Sequence, residues 1–168
     1  MIHKTTRSIL SVLLAALLLV TSIPLTPAFA DGGAVSLQSA NSERGGLEQV
    51  NGVYQISTAA ELREFAQRVN NGELAHANAV LTDDINLNPN MEISEDGTVT
   101  NGSDLDQWTP IGNSSNEYTG TFDGDGHTIS GLYIDSTADD QGLFGYVDTG
   151  GTVKDLTVSG TVSGGMFV

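Results

Sequence analysis

Two pairs of aspartates are the best candidates in this sequence for catalytic or metal-binding residues. Asp83 and Asp84 are adjacent, and Asp123 and Asp125 are separated by a single glycine. Two carboxyl groups held close together can act as a general acid and base, and carboxylate oxygens are ligands that calcium prefers. Asp123 and Asp125 are therefore our candidate calcium ligands, and this calcium is the one cofactor that the sequence suggests.

A structural role for the same aspartates is the favoured alternative. Asp123–Gly126 is a glycine-rich turn, and aspartate is common in such turns because its side chain bonds its own backbone. The calcium-loop pattern is incomplete, since residue 127 is a histidine and no glutamate follows at the required distance. Acid/base catalysis by these aspartates has the weakest support of the three roles.

Motifs of known enzyme classes are missing from the sequence. It contains no His-Glu-x-x-His, no Gly-x-Ser-x-Gly and no phosphate loop. We therefore assign no catalytic and no cofactor-binding residue, and we expect a structural role for His127, which directly follows the turn. Trp108 could stack on a sugar ring, but we favour a packing role for it in Trp108–Gly112.

The N-terminus predicts export. Lys4 and Arg7 precede an apolar run from Ile9 to Val20, and Ala28–Ala30 is a small-x-small cleavage pattern, so residues 1–30 are predicted to be a signal peptide. The run is about 12 residues long against the ~20 needed to span a bilayer, so we expect no membrane insertion after cleavage.

Charge and cysteine content limit the partners of the exported chain. After cleavage, four basic residues remain against 21 acidic ones, a formal net charge of −17. Such a surface repels polyanions, so nucleic acid is excluded as a partner. Because there are no cysteines, an exported chain of this kind must be held together by its core or by a metal.

One amphipathic helix is predicted after a leader. Residues 31–50 have little periodicity and are predicted to be flexible. Thr58 and Glu61 fit a capping box, and Leu62, Phe65, Ala66 and Val69 then follow with helical spacing. We predict a helix at about 58–70 that covers the exposed first coil of the domain.

The remaining sequence is typical of short strands. Residues 79–87 are predicted to be one strand, with Asp83 on its apolar face or at a bend, and residues 88–107 to be a disordered or solvated excursion. The apolar pattern of Ile129–Ile134 returns 24 residues later in Val153–Val158. A period of this length indicates a solenoid, in which Gly131 and Asp155 would form stacked bends.

Three segments resemble the GLUG-repeat proteins: Trp108–Gly112, Tyr118–Leu132 and Gly142–Val147. The resemblance covers roughly residues 52–165, with GLUG-type repeats from about 108. It implies an all-β fold, a right-handed parallel β-helix over residues 51–168, in large exported or cell-surface bacterial proteins. Some of those carry immunoglobulin A peptidase domains, and others carry surface-layer homology or adhesion modules.

These observations lead to one expected function and one alternative. We expect a non-catalytic β-helical module of an exported bacterial cell-surface protein, with an adhesion or structural spacer role. The alternative is the N-terminal part of a surface enzyme, either a carbohydrate-active β-helix or an immunoglobulin A peptidase-like protein. Expected partners are host or cell-wall glycans or surface proteins. We also expect the natural protein to continue beyond Val168, or else to self-associate through its open C-terminal edge.

Overall fold

The structure, a computed structural model, describes residues 46–165. The predicted signal peptide and most of the predicted leader lie outside the described residues. The described elements are β1 (Glu48–Val50), β2 (Val53–Ile56), α1 (Ala59–Asn70), β3 (Asn78–Leu81), β4 (Ile85–Asn86), a 3-10 helix (Gly102–Asp104), β5 (Thr121–Asp123), β6 (Thr128–Asp135), β7 (Thr152–Lys154) and β8 (Thr157–Ser163).

The described strands form two sheets. The larger sheet has the order β1-β2-β3-β5-β7 and the smaller one the order β4-β6-β8. Strand β1 runs antiparallel to β2, whereas all other neighbouring strands are parallel. Successive strands from β3 onward alternate between the sheets, so each strand pairs with the strand after next.

The predicted all-β right-handed parallel β-helix is wrong. Parallel strands are present, but residues 46–165 form a mixed five-stranded sheet, a separate three-stranded sheet and one helix, and no closed solenoid is detected among them. Asn51 and Gly52 have positive φ angles of 51° and 83°, as a tight hairpin turn requires. This turn makes β1 antiparallel, so residues 48–50, assigned to the flexible leader, form a strand.

The strand pairing predicted from the 24-residue repeat is also wrong. It aligned Ile129 with Val153, but Ile129 lies beside Val158, and Val153 lies beside Phe122. The first hexad lies within the largely buried β6, whereas the second spans the exposed end of β7, the turn at Asp155 and the start of β8. Gly131 and Asp155 do have positive φ angles, of 67° and 51°. Gly131 lies where the register of β6 shifts, whereas Asp155 lies between β7 and β8.

Helix α1 forms where the sequence predicts it. The Thr58 hydroxyl accepts a hydrogen bond from the Glu61 backbone, and the Glu61 carboxylate accepts from the backbone of Ser57 and Thr58. Burial raises the pKa of Glu61, but these hydrogen bonds outweigh it and hold the pKa below its usual value. The predicted apolar face of α1 is buried: Leu62, Phe65, Ala66 and Val69.

The buried face of α1 and the inner faces of both sheets share one apolar core. Phe65 is fully buried, and its ring centroid lies 6.0 Å from those of Tyr118 and Phe122. Phe144 packs against the same two rings. Aromatic rings at such distances contribute about 0.5–1.5 kcal/mol per pair beyond their buried area, so the helix is part of the core.

Residues 88–107, predicted to be a disordered or solvated excursion, are held by a buried amide. The Asn88 side chain donates to the carbonyls of Asp106 and Gly131 at 3.0 and 2.9 Å and accepts from the Asp106 amide at 2.8 Å. The tip of the segment is closed by an antiparallel bridge between Ile93 and Val99. Asn88 thus joins both ends of the excursion to β6.

Candidate functional site

The candidate calcium ligands lie in the turn after β5. One oxygen of the Asp123 carboxylate accepts from the Asp125 amide at 3.0 Å, and the other pairs with the ammonium group of Lys154 on β7. The hydrogen bond from Lys154 and then that from the Asp125 amide lower the pKa of Asp123. The Asp123 carboxylate therefore connects β5 to its neighbour β7.

The geometry of the turn explains why an aspartate and a glycine occupy it. Asp125 is exposed and has a φ of 47°, and Gly126 has a φ of 83°; glycine and aspartate tolerate such angles better than most residues. Within residues 46–165, no group of three or more His, Asp or Glu side chains is arranged to hold a metal ion. Calcium at Asp123 and Asp125 stays a prediction.

The other aspartate pair lies at a bend between the sheets. The strand predicted at 79–87 is divided, because β3 ends at Leu81 and β4 begins at Ile85. Asp83 is exposed at this bend, which was one of the two predicted placements. Asp84 accepts a hydrogen bond from the Thr128 amide at 2.9 Å, and its carboxylate lies 3.2 Å from Nδ1 of His127.

Asp84 and His127 thus meet although 43 positions separate them in the sequence. The Thr128 hydrogen bond and then the His127 contact lower the pKa of Asp84. The pair holds the start of β6 against the bend before β4, which is the structural role expected for His127. We name Asp84, Asp123, Asp125, His127 and Lys154 the aspartate corner.

A different part of the surface contains two cavities. A cavity of about 360 Å³ lies between the polar face of α1 and residues 107–109. Arg63 covers the indole of Trp108, with its guanidinium carbon 5.8 Å from the ring centroid, and donates to the Leu87 carbonyl at 3.2 Å. Trp108 is only 4% exposed and donates to the Leu143 carbonyl, which agrees with the packing role favoured for it.

A second cavity of about 360 Å³ adjoins the first and shares Asn70 and Thr109 with it. Its far wall contains Asp139, Asp140 and Tyr146. The Tyr146 hydroxyl donates to the Asp140 carboxylate at 2.6 Å, and this hydrogen bond is the main cause that raises the pKa of Tyr146. We name the two cavities together the α1 cleft.

Asn70 lies where the two cavities of the α1 cleft meet, and it bonds the opposite wall. Its side chain donates to the Pro110 carbonyl at 2.9 Å and accepts from the Gly112 amide at 2.8 Å. Its backbone carbonyl accepts from the side chains of Asn113 and Asn116. One residue at the end of α1 therefore positions the 110–116 segment, part of which lines the second cavity.

Three polar side chains of the cleft have hydrogen-bonding capacity left. Gln67, Asn71 and Thr109 are exposed, and their side chains make no hydrogen bond to another residue of the described range. The sequence analysis missed all three. The signal for two of them is helical spacing, since Arg63, Gln67 and Asn71 recur every four residues, with Asn71 directly after the end of the helix.

Comparisons with known proteins give two relatives. The chain is 39% identical over 118 residues to halomucin of Haloquadratum walsbyi, an alignment that covers 67% of this chain and 1% of halomucin. It is 32% identical over 108 residues to a protein of Evansella cellulosilytica that is named as a Gly-rich membrane protein, covering 64% of this chain and 11% of that one. The chain therefore spans only a small part of both relatives.

No family model matches the chain, and no solved structure matches it significantly. Among the described residues, no helix has both the length and the apolar character needed to cross a membrane.

Proposed function

We propose that this chain is a non-catalytic module of an exported protein located at the cell surface or associated with the membrane, with a role in adhesion or as a structural spacer. The observation that carries the proposal is the similarity to segments of two much longer proteins, a halomucin and a membrane protein. A module reused inside long chains suits a spacer or a binding surface better than a complete enzyme.

Four further features support the proposal. The sequence begins with a signal-peptide pattern, its predicted mature charge of −17 favours solubility outside the cell, and its motifs resemble the GLUG-repeat proteins. In the aspartate corner, the Asp84 and Asp123 carboxylates bond backbone amides, His127 and Lys154. Their hydrogen-bonding capacity is thus used to join strands, which suits a structural module.

Export is tested by producing the full chain with a C-terminal epitope in a secreting bacterium. We expect the product outside the cytoplasm, with Asp31 as its first residue. The matched control carries Leu14→Arg and Leu18→Arg, which interrupt the apolar run and should keep the chain inside the cell. Cytoplasmic retention of the unmodified chain would refute the proposal.

The non-catalytic part is tested by incubating the purified chain with bacterial polysaccharides and with immunoglobulin A. We expect no cleavage of either. Cleavage that is lost in Asp84→Asn or Asp123→Asn would instead support the alternative, a surface enzyme.

A further inference from the structure

We propose that the α1 cleft is a binding site for a neutral oligosaccharide, and this inference rests on the proposed role as a surface module. The first support is its shape. Two cavities of about 360 Å³ adjoin at Asn70 and Thr109, and each falls within the ~300–1,000 Å³ typical of small-molecule sites. Two joined cavities suit a chain of several sugar units.

The second support is the chemistry of the unused groups. Gln67 and Asn71 each present an amide donor and an amide acceptor side by side, and Thr109 adds a hydroxyl that can do both. Sugar hydroxyls are also both donors and acceptors, so neighbouring hydroxyls match neighbouring amide atoms. These three side chains make no other hydrogen bond within residues 46–165, so binding would break none of their existing bonds.

The third support is that the aromatic side chains of the cleft are held in place. Trp108 is fixed by its hydrogen bond to the Leu143 carbonyl and by Arg63, and Tyr146 by its short hydrogen bond to Asp140. Side chains that are already ordered lose little entropy on binding. The half-buried Tyr146 ring would pack against the C–H groups of a sugar, whereas the buried Trp108 supports the cleft wall from behind.

The charges of the cleft select a neutral ligand. Asp139 and Asp140 line one end, and at the other end Arg63 lies 3.6 Å from the Asp106 carboxylate. The whole chain has a net charge of −15. A polyanionic glycan would therefore be repelled, whereas the carboxylates can accept hydrogen bonds from uncharged hydroxyls.

Saturation-transfer NMR and titration of the full chain test the inference. The probes are cellotetraose, chitotetraose and mannotetraose, with tetragalacturonate as the anionic comparison. The test variant is the double substitution Gln67→Ala and Asn71→Ala, which removes two amides without breaking a described hydrogen bond. The matched control is Asn90→Ala, an exposed amide outside the cleft. Circular dichroism of each variant monitors folding.

We expect at least one neutral tetrasaccharide to bind, and the double substitution to weaken it about tenfold with folding unchanged. Asn90→Ala should stay within about twofold of the unmodified chain. The inference is overturned if no neutral probe binds, if the double variant binds normally, or if tetragalacturonate binds as well as the neutral probes. Export without sugar binding would overturn this inference alone, and sugar binding without export would overturn the proposed function alone.

Discussion

The aspartate corner and the α1 cleft use polar residues in opposite ways. In the corner, Asp84 and Asp123 accept from backbone amides and contact His127 and Lys154. In the cleft, Gln67 and Asn71 are exposed and make no hydrogen bond to a described residue. Two of the four aspartates that the sequence offered as catalytic or metal-binding candidates, Asp84 and Asp123, are thus occupied in joining strands. Gln67 and Asn71, which the sequence analysis did not single out, are the residues whose side chains can still hydrogen-bond a ligand.

The largest difference between the two regions should appear when a methyl group is added to a glycine in each. Gly112 of the cleft and Gly126 of the corner have nearly the same φ, 81° and 83°. A Cβ at 112 would lie 2.2 Å from the Tyr146 carbonyl oxygen, whereas one at 126 meets nothing within 4 Å. We expect Gly126→Ala to cost roughly 1–2 kcal/mol of unfolding free energy and Gly112→Ala about 2–4 kcal/mol.

Urea denaturation of both variants measures this difference. Because the backbone strain is nearly equal, the excess cost of Gly112→Ala reports the close packing of the cleft wall. Equal losses of stability would mean that the 110–116 segment moves away easily, and the cleft would then lack the fixed shape described above.

The next largest effect should come from Asn70. Asn70→Ala removes two hydrogen bonds, to Pro110 and Gly112, and we expect a loss of about 2 kcal/mol of unfolding free energy because it leaves their backbone groups unpaired. Its neighbour Asn71 is the control, since Asn71→Ala breaks no described side-chain hydrogen bond and should change stability by less than about 0.5 kcal/mol. Similar losses in urea denaturation would contradict the positioning role of Asn70.

Local structure was predictable from the sequence where neighbours in the chain determine it. The capping box of Thr58 and Glu61 needs only residues three positions apart, and α1 formed as predicted. The bend at Asp83 was one of two predicted placements, and bends were predicted at Gly131 and Asp155, which both have positive φ although they are not stacked. In each case the cause is steric or a local hydrogen bond, so no knowledge of the distant partner is needed.

Strand partners and long-range polar contacts were not predictable in the same way. The pattern of Ile129–Ile134 suits either sheet equally, so it could not show that β6 pairs with β8 and not with β7. The excursion at 88–107 looked disordered because its order depends on Asn88 and its bonds to Asp106 and Gly131. The cleft was missed for the same reason, since its walls meet only in the folded chain.

Low pH should reduce the stability that the aspartate corner contributes more than the stability that the α1 cleft contributes. The pKa values of Asp84 and Asp123 are lowered in the folded chain. Their contribution to the stability of the folded chain is therefore fully present above the unfolded pKa of about 3.9. It is lost as the pH falls through their lower folded pKa values. We expect the double variant Asp84→Asn and Asp123→Asn to be less stable than the unmodified chain at pH 7, with the difference shrinking as the pH falls below the unfolded pKa of about 3.9.

Urea midpoints measured from pH 7 to well below the unfolded pKa of about 3.9 check this, with Asp83→Asn as the control because Asp83 is exposed and makes no described side-chain hydrogen bond. A stability difference that stays constant across this range would mean that the two carboxylates act by packing and not by charge.

The smallest expected effect concerns calcium, and it decides between the two roles of Asp123 and Asp125. A calcium ion at Asp123 must replace the Lys154 ammonium group. If the ion binds, the melting temperature should rise slightly with calcium in the unmodified chain, rise more in Lys154→Gln, and not rise in Asp123→Asn. Sodium chloride at matched ionic strength controls for screening of the acidic surface. Equal responses of all three chains would leave these aspartates as turn residues, because a specific site must depend on its ligands and on the cation that competes for them.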